Sequence, residues 1–247
     1  MIKKIKELFD LAHQHHKKNN FLSAEKLYKE IFRKLDKKYN SHLYVGLLGI
    51  LMKYCHRKLE NFNKKNNHFN KVLEIGAGSI PHIDFLSHSF DEYHIAETSD
   101  YGIDYNNENK NVIVTKYDGK KLPYPDDSFD RIIISHCLEH ILSPEEFIIE
   151  MMKKLKKGGV LSISLPTDPG VLWRLGRLFI RLFILKKTYN ISGEEFQYMN
   201  ATEHINSIFN LISIIRFNFK DSYEEYFYPL RFKSADLNLF YNVHINK

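Results

Sequence analysis

Apolar residues along this 247-residue chain recur with two different spacings, and the change between them divides it. Over roughly the first 60 residues they fall three or four apart. IKELFDLAHQHH lines up Ile5, Leu8, Phe9, Leu11 and Ala12 on one helical stripe. KKNNF interrupts the stripe, and LSAEKLYKEIFRKL resumes it with Ser23 placed as an N-cap. SHLYVGLLGILMKYCHRKL predicts a third, buried helix, and the polar run NFNKKNNHFN a linker. From Val72 the spacing shortens. Apolar runs bounded by turn residues predict strands at Val72–Ile75, 93–99, 111–119, Ile132–Ile134 and after Gly158-Gly159, the last glycines closing a helix. VLWRLGRLFIRLFILKK predicts an amphipathic helix over 171–187, and Thr202 through Arg216 a second helix. YEEYFYPLRF and DLNLFYNVHI predict a final antiparallel pair.

The first strand runs into VLEIGAGSI, a glycine turn that lets a ligand approach the backbone. A dinucleotide site needs a third glycine where Pro81 stands. Pro81 fits the first turn of a helix without providing that close packing. A P-loop needs a Lys that is absent at that spacing. A cofactor without phosphates fits better. Glu74 precedes Gly76, Ala77, Gly78 and Ser79, so a carboxylate can hold an ammonium group while glycine amides face a carboxylate and a ribose. S-adenosylmethionine carries all three groups. An acid ending the second strand, Glu97, is placed for two ribose hydroxyls, beside Thr98. Asp118 and Gly119, ending the third strand, are placed for an adenine amino group.

Residues 70–168 then show E-I-G-A-G, L-P-Y-P-D-D-S-F-D, L-E-H and K-K-G-G in order, and with these the chain resembles the class I S-adenosylmethionine-dependent methyltransferases, in particular a broad bacterial group. The resemblance implies an α/β fold with a Rossmann-like seven-stranded sheet, S-adenosylmethionine as cofactor and S-adenosylhomocysteine as product. It implies that Glu74, Gly76, Ala77 and Gly78 hold the methionine end, Glu97 the ribose, and Asp118 with Gly119 the adenine. Ser135 and His136 would face the sulfonium and the acceptor. The expected organisation is an N-terminal helical extension over 1–66 and a methyltransferase domain over 67–247, with 168–220 inserted as a helical lid. The first two helices also resemble one tetratricopeptide unit, but a single unit lacks the stacked neighbours a solenoid needs.

The net charge of +6 is uneven, with 16 Lys+Arg against 6 Asp+Glu in residues 1–70. Such a segment could meet a polyanion, but its lysines are not interleaved with stacking aromatics, which weighs against nucleic acid. His13, His15 and His16 do not share one helix face and make no metal site. Cys55 and Cys137 form no C-x-x-C, which fits a reducing cytosol. With no secretory leader pattern and no bilayer-length apolar run, the expected location is cytoplasmic. The abundance of Lys, Asn and Ile suggests a low-GC bacterial genome.

Methyl transfer to a hydroxyl needs a proton acceptor, and His136, His140 and His204 are the candidates. His136-x-x-Glu139-His140 spaces three donors for one helix face, and His204 could add a fourth from outside. Related small-RNA and ubiquinone-pathway methyltransferases carry E-x-x-E-H there and bind a divalent metal. The imidazole-rich set here would suit zinc, iron or manganese better than magnesium. Arg174, Arg177 and Arg181 share one helix face, placed for a phosphate or carboxylate on the acceptor. The same helix could instead lie on a membrane. LPTDPGVLWRLGR and EHINSI resemble methyltransferases found near bacterial surface-polysaccharide genes. The expected activity is O-methylation of a small-molecule or glycan acceptor, including phosphate- or nucleotide-linked ones such as capsule sugars. Rival readings are an RNA or protein methyltransferase using the basic helices, and a scaffold that binds the cofactor without turnover.

Overall fold

The structure is a computed structural model and describes residues 2–18, 20, 22–23, 26–27, 30–31, 46–62, 67–78, 81–98, 111–119, 121–182 and 192–247. The described helices are α1 (Ile2–Lys17), α2 (Gly46–Leu59), α3 (Pro144–Lys154), α4 (Val171–Ile180), α5 (Gly193–Glu203) and α6 (Ile208–Asn218). The strands are β1 (His68–Ile75), β2 (Ser89–Glu97), β3 (Val112–Lys116), β4 (Phe129–Ser135), β5 (Leu155–Pro166), β6 (Tyr223–Tyr228) and β7 (Phe240–Asn246).

The seven strands form one sheet in the order β3-β2-β1-β4-β5-β7-β6. β1 through β5 pair in parallel, and β7 runs antiparallel between β5 and β6. This is the expected Rossmann-like class I methyltransferase sheet. The chain leaves β1 outward to β2 and β3, then returns to pair β4 on the other side of β1. That reversal opens a crevice at the carboxyl ends of β1 and β4, where ligands bind in open α/β sheets.

Both faces of the central strands are buried, as parallel sheets require. Alternation sorts the side chains. Leu73, Ile75, Ile132 and Ile134 enter one core with Met151 of α3 and Leu211 and Ile215 of α6, while Val72, Tyr93, Ile95 and Ile133 enter another with Leu59 of α2. Each such aliphatic side chain contributes about 1.5–3 kcal/mol on leaving water.

The chain separates into two compact units. One comprises Met1–Met52 and Leu175–Thr202; the other comprises Lys53–Arg174 and Glu203–Lys247 and contains the whole sheet. The first has Phe9, Ala12, Ile31 and Phe196 buried.

Five local expectations change. The cap before the second helical stripe is Asn20, whose Oδ1 accepts from Ser23 N (3.4 Å), three residues before the expected cap. The helix expected to stop at Gly158-Gly159 stops at Lys154 instead. Leu155 is buried opposite Phe129 and already belongs to β5, and the strand absorbs a register shift before Gly158 (φ +80°). Pro81 precedes a four-residue 3-10 turn, His82–Phe85, rather than opening an α-helix. The helix expected over 202–216 is broken. α5 ends at Glu203, and Ser207 caps α6 by accepting from Phe209 N. Within the gap Asn206 donates to Ile141 O (2.6 Å), and its backbone N to Glu139 O (3.1 Å), so the chain is pulled to the end of β4. The helix expected over 171–187 is α-helical to Ile180 and widens into a π turn at Arg181–Leu182; residues 183–187 lie outside the described residues.

Candidate functional site

The turn after β1 bends through two left-handed glycines, Gly76 (φ +67°) and Gly78 (φ +58°). A Cβ on Gly76 would stand 2.7 Å from Cys137 Sγ, so only glycine lets the turn meet the segment after β4. Among the described residues, a Cβ on Gly78 would meet nothing within 4 Å. Ala77 is half-buried, and Ser79 lies outside the described residues.

Glu74, expected to hold an ammonium group, makes two hydrogen bonds within the protein. Its carboxylate is buried in the sheet, with Oε1 accepting from His82 N (2.7 Å) and Oε2 from Tyr93 Oη (2.7 Å). It ties the backbone beyond the turn to β2. Burial raises its pKa to about 7, against the pull of those two hydrogen bonds.

Glu97 lies where a ribose acid should, at the carboxyl end of β2. Its Oε2 accepts from Gly78 N (3.0 Å) and its Oε1 from Thr98 N (2.8 Å). Acid and glycine amide therefore converge on one point. A Cβ on Gly119 (φ +77°) would lie 3.3 Å from Thr98 Cγ2, so the loops after β2 and β3 adjoin. Asp118 is exposed beside them and accepts from Lys121 N (3.3 Å).

The end of β4 carries the proton-accepting groups. Ser135 is buried and its Oγ finds no partner among the described residues. His136 has a left-handed backbone (φ +51°), uncommon for a residue with a Cβ. Its N donates to Ser164 O (2.9 Å) and its Nε2 lies 3.4 Å from Cys55 Sγ. Burial depresses the His136 pKa, so the ring is neutral at physiological pH. Burial pushes both cysteine thiols up to about 12, which leaves them protonated and poor nucleophiles.

Leu138–His140 is a 3-10 turn, so His136, Glu139 and His140 do not share a helical face as expected. Glu139 is the hub instead. Its Oε1 is 3.9 Å from His136 Nδ1 and 3.8 Å from His140 Nε2, and its buried Oε2 has no hydrogen-bond partner among the described residues. His204 arrives on the segment that Asn206 anchors, its ring 5.1 Å from that of His140. One ligand atom from each of Glu139, His140 and His204 lies within 4.8 Å of the others; His136 falls outside that trio.

Two contacts fix how these imidazoles present themselves. His204 Nδ1 is 2.8 Å from Asp168 Oδ2, and His140 Nδ1 is 2.6 Å from Glu203 O. A carboxylate and a carbonyl only accept, so both rings donate through Nδ1 and, when neutral, keep the Nε2 lone pair. The sequence reading missed Asp168 and the Glu203 carbonyl. The position of Asp168, just past the carboxyl end of a central strand, was the available signal.

A buried network behind the glycine turn was also missed. Glu60 Oε1 lies 2.7 Å from Arg131 Nη2 as an ion pair and accepts from His82 Nε2 (2.9 Å). His82 Nδ1 is 2.9 Å from His56 Nδ1. Burial alone would raise the Glu60 pKa, but the Arg131 charge and the hydrogen bonds overturn that and hold it far below the carboxylate range. Since Glu60 only accepts, His82 donates through Nε2, and when His82 is neutral its Nδ1 receives the His56 Nδ1 proton. Burial, then repulsion from His82 and His136, keeps the His56 pKa well below its ordinary value.

Arg174 and Arg181 are exposed on α4 and its π turn, and Arg177 is half-buried. No described helix is long and apolar enough to cross a membrane.

Several known proteins resemble this chain in fold or over part of its sequence. The plantazolicin methyltransferase BpumL, solved with S-adenosylhomocysteine, superposes with a TM-score of 0.59 at 15% identity, over 100% of this chain and 97% of that one. A Thermotoga maritima S-adenosylmethionine-dependent methyltransferase gives 0.54 at 18%, over 88% and 98%. These likenesses show the fold. In sequence, the ubiquinone/menaquinone biosynthesis C-methyltransferase UbiE of Vibrio vulnificus is 40% identical over 63 residues, and ajmaline N-methyltransferase of Rauvolfia serpentina 39% over 46. The matched segments span 24% and 19% of this chain and only 24% and 16% of those proteins. The methyltransferase-domain family matches residues 48–216, which takes in β1 through β5, the glycine turn and the histidine cluster. The chain therefore belongs to that family, and S-adenosylmethionine is its cofactor.

Proposed function

We propose that the protein transfers the methyl group of S-adenosylmethionine to an oxygen of a small-molecule or glycan acceptor presented at the end of β4. What supports an oxygen acceptor is the group of polar side chains gathered there: two imidazoles that donate through Nδ1, and a buried Glu139 oxygen without a hydrogen-bond partner among the described residues. In the transfer the S–CH3 bond breaks as the O–CH3 bond forms, and S-adenosylhomocysteine leaves. The sulfonium is already activated, so the protein's part is alignment and exclusion of water. A hydroxyl must also lose its proton. His204 Nε2 is the acceptor for it, since the Asp168 carboxylate bonded to Nδ1 fixes the tautomer and orientation of the ring. His136, neutral at the mouth of β4, contacts the acceptor.

In place of His204 acting as the proton acceptor, Glu139, His140 and His204 fit a divalent cation. The fit rests on the buried Glu139 Oε2 and on both imidazoles being tied back through Nδ1, as metal-ligating histidines are. Two nitrogens with one carboxylate suit zinc, iron or manganese rather than magnesium. A bound cation would orient the acceptor hydroxyl and lower its pKa. Metal analysis of protein purified without chelating resin, with His140→Ala as control, tests this; sub-stoichiometric metal in both proteins ends the idea.

The acceptor class proposed is a bacterial surface-polysaccharide sugar or its phosphate-linked precursor, modified in the cytoplasm. Its support is the resemblance of LPTDPGVLWRLGR and EHINSI to methyltransferases near such genes. Arg174, in the same compact unit as the site, would meet the phosphate. A second reading, ring C-methylation, is supported by the UbiE likeness. Mass comparison of glycans and small metabolites, with the gene intact and deleted, separates them. Loss of one methylene from a glycan supports the oxygen acceptor. Loss from a quinol supports the second reading, and loss from an RNA fragment would sink both.

A further inference from the structure

Cys55 of α2 is fully buried, and its thiol takes no part in the chemistry above. Its Sγ lies between two side chains, 3.4 Å from His136 Nε2 and 3.0 Å from Ser164 Oγ. Ser164 stands on β5 directly opposite Asn242 on β7, and both are buried. Asn242, Ser164, Cys55 and His136 therefore form a line of polar contacts from β7 to the mouth of β4, all within one compact unit.

Backbone groups at the far end give that line its direction. The Asn242 carboxamide sits between the Tyr241 carbonyl and Leu59 N. A carbonyl only accepts and a backbone N–H only donates, so the amide N faces Tyr241 O (3.2 Å) and the amide O faces Leu59 N (3.1 Å). So oriented, the amide N also donates to Ser164 Oγ (2.8 Å). Among the described residues, the side-chain partners of Ser164 Oγ on this line are Asn242 and Cys55. Its own proton goes to Cys55 Sγ, because the reverse would bury an O–H without an acceptor. The thiol, which burial keeps protonated, then has its S–H left for His136 Nε2. An S–H needs a lone pair to donate to, so the His136 proton stands on Nδ1. The other side of the ring agrees, since Nδ1 faces Glu139 Oε1 at 3.9 Å and a carboxylate only accepts.

We propose that Cys55 is a positioning residue: it holds His136 in the Nδ1–H tautomer, so that this ring offers the acceptor a hydrogen-bond donor and not a base. At 3.9 Å from Glu139 Oε1, too far for a direct hydrogen bond, that N–H stays available. The edge-on ring of Phe240, 5.8 Å away, packs against the imidazole. A hydroxyl has a second lone pair to accept from Nδ1–H while the first attacks the methyl, and its own proton leaves to His204 Nε2. An amine nitrogen or a ring carbon has no lone pair to spare, so the tautomer selects for oxygen. This selection rests on the oxygen-acceptor reading above; the tautomer does not.

The whole protein is labelled with nitrogen-isotope histidine, and correlations within each ring report which nitrogen carries the proton. His136→Gln identifies the resonances of that ring. In the wild type at neutral pH, Nδ1 should fall in the protonated range and Nε2 in the unprotonated one. Cys55→Ser keeps a donor and should keep this pattern, whereas Cys55→Ala should move both resonances toward the averaged positions of an exchanging ring. The second readout is the initial rate of labelled methyl transfer from S-adenosylmethionine to a protein-free extract of cells lacking the gene. Cys55→Ala should lower it about threefold to tenfold, the worth of one hydrogen bond, and Cys55→Ser should retain most of it. A wild-type His136 protonated at Nε2, a Cys55→Ala spectrum matching the wild type, or an undiminished rate in Cys55→Ala would overturn the proposal. The spectrum needs no acceptor. A failed oxygen-acceptor reading therefore leaves the tautomer standing, and a wrong tautomer leaves that reading standing.

Discussion

Replacing Glu74 by Gln should alter how stability depends on pH, in a direction opposite to the usual behaviour of a paired carboxylate. Glu74 is 1% exposed, and burial raises its pKa from the ordinary 4.5 to about 7. Glu97 and Asp84 add smaller repulsions in the same direction. The folded protein therefore binds this proton more tightly than the unfolded chain does. The associated stability is fully present below about pH 4.5 and is lost as pH rises through about 7. The displacement corresponds to about 3 kcal/mol. A glutamine keeps an oxygen to accept from His82 N, and its amide N–H can donate to Tyr93 Oη, yet it has no charge to desolvate. Urea unfolding of both proteins between about pH 5 and about pH 8 gives the difference directly. The wild type should lose about 2–3 kcal/mol relative to the variant across that window. A difference that stays flat with pH would refute the reasoning. It would mean that the His82 amide and the Tyr93 hydroxyl hold Glu74 ionised throughout.

Other outcomes follow from the same geometry. Gly76→Ala should be more damaging than Gly78→Ala. Both pay about 1–2 kcal/mol for a left-handed side chain, but only at position 76 does the new Cβ collide with Cys137 Sγ; thermal melts and titration with S-adenosylhomocysteine rank the two. Glu60→Gln leaves the Arg131 charge buried without its counter-ion, a loss of about 3–5 kcal/mol that chemical denaturation would show. Asp168→Asn should lower kcat by about 10²–10⁴-fold with cofactor affinity retained, and His204→Ala should do the same. If Asp168→Asn matched the wild type in kcat, the carboxylate would have no part in holding His204.

The central strands were legible because their burial is continuous. A run such as Ile132–Ile134 has no polar face, and only a strand buried on both sides accommodates it. The glycine turn was legible because left-handed backbone leaves a compositional mark. Less could be read where a polar residue's fate depends on a distant partner. His56 and Glu60 sit in CHRKLE, which looks like a solvated helix end; they are buried because His82 and Arg131, far along the chain, meet them there. Glu74 looked like a ligand group, and Tyr93 and the His82 amide claim both its oxygens. His204 was singled out, but its approach to His140 depends on Asn206 breaking a helix that the apolar spacing would have continued.

The contact between Glu97 and the Gly78 amide bears on the pace of turnover. Gly78 N donates to the Glu97 carboxylate, so acid and amide each have a partner within the protein itself. An enzyme of this kind must shed its spent nucleoside after every cycle, and that nucleoside differs from the fresh one by a single methyl and its charge. A turn that closes on its own acid lowers the barrier to departure, and each arriving molecule must in turn displace that internal partner. Affinity is thereby held down in return for rapid exchange, so product inhibition should deepen when the Glu97 side chain is shortened enough to let go of Gly78.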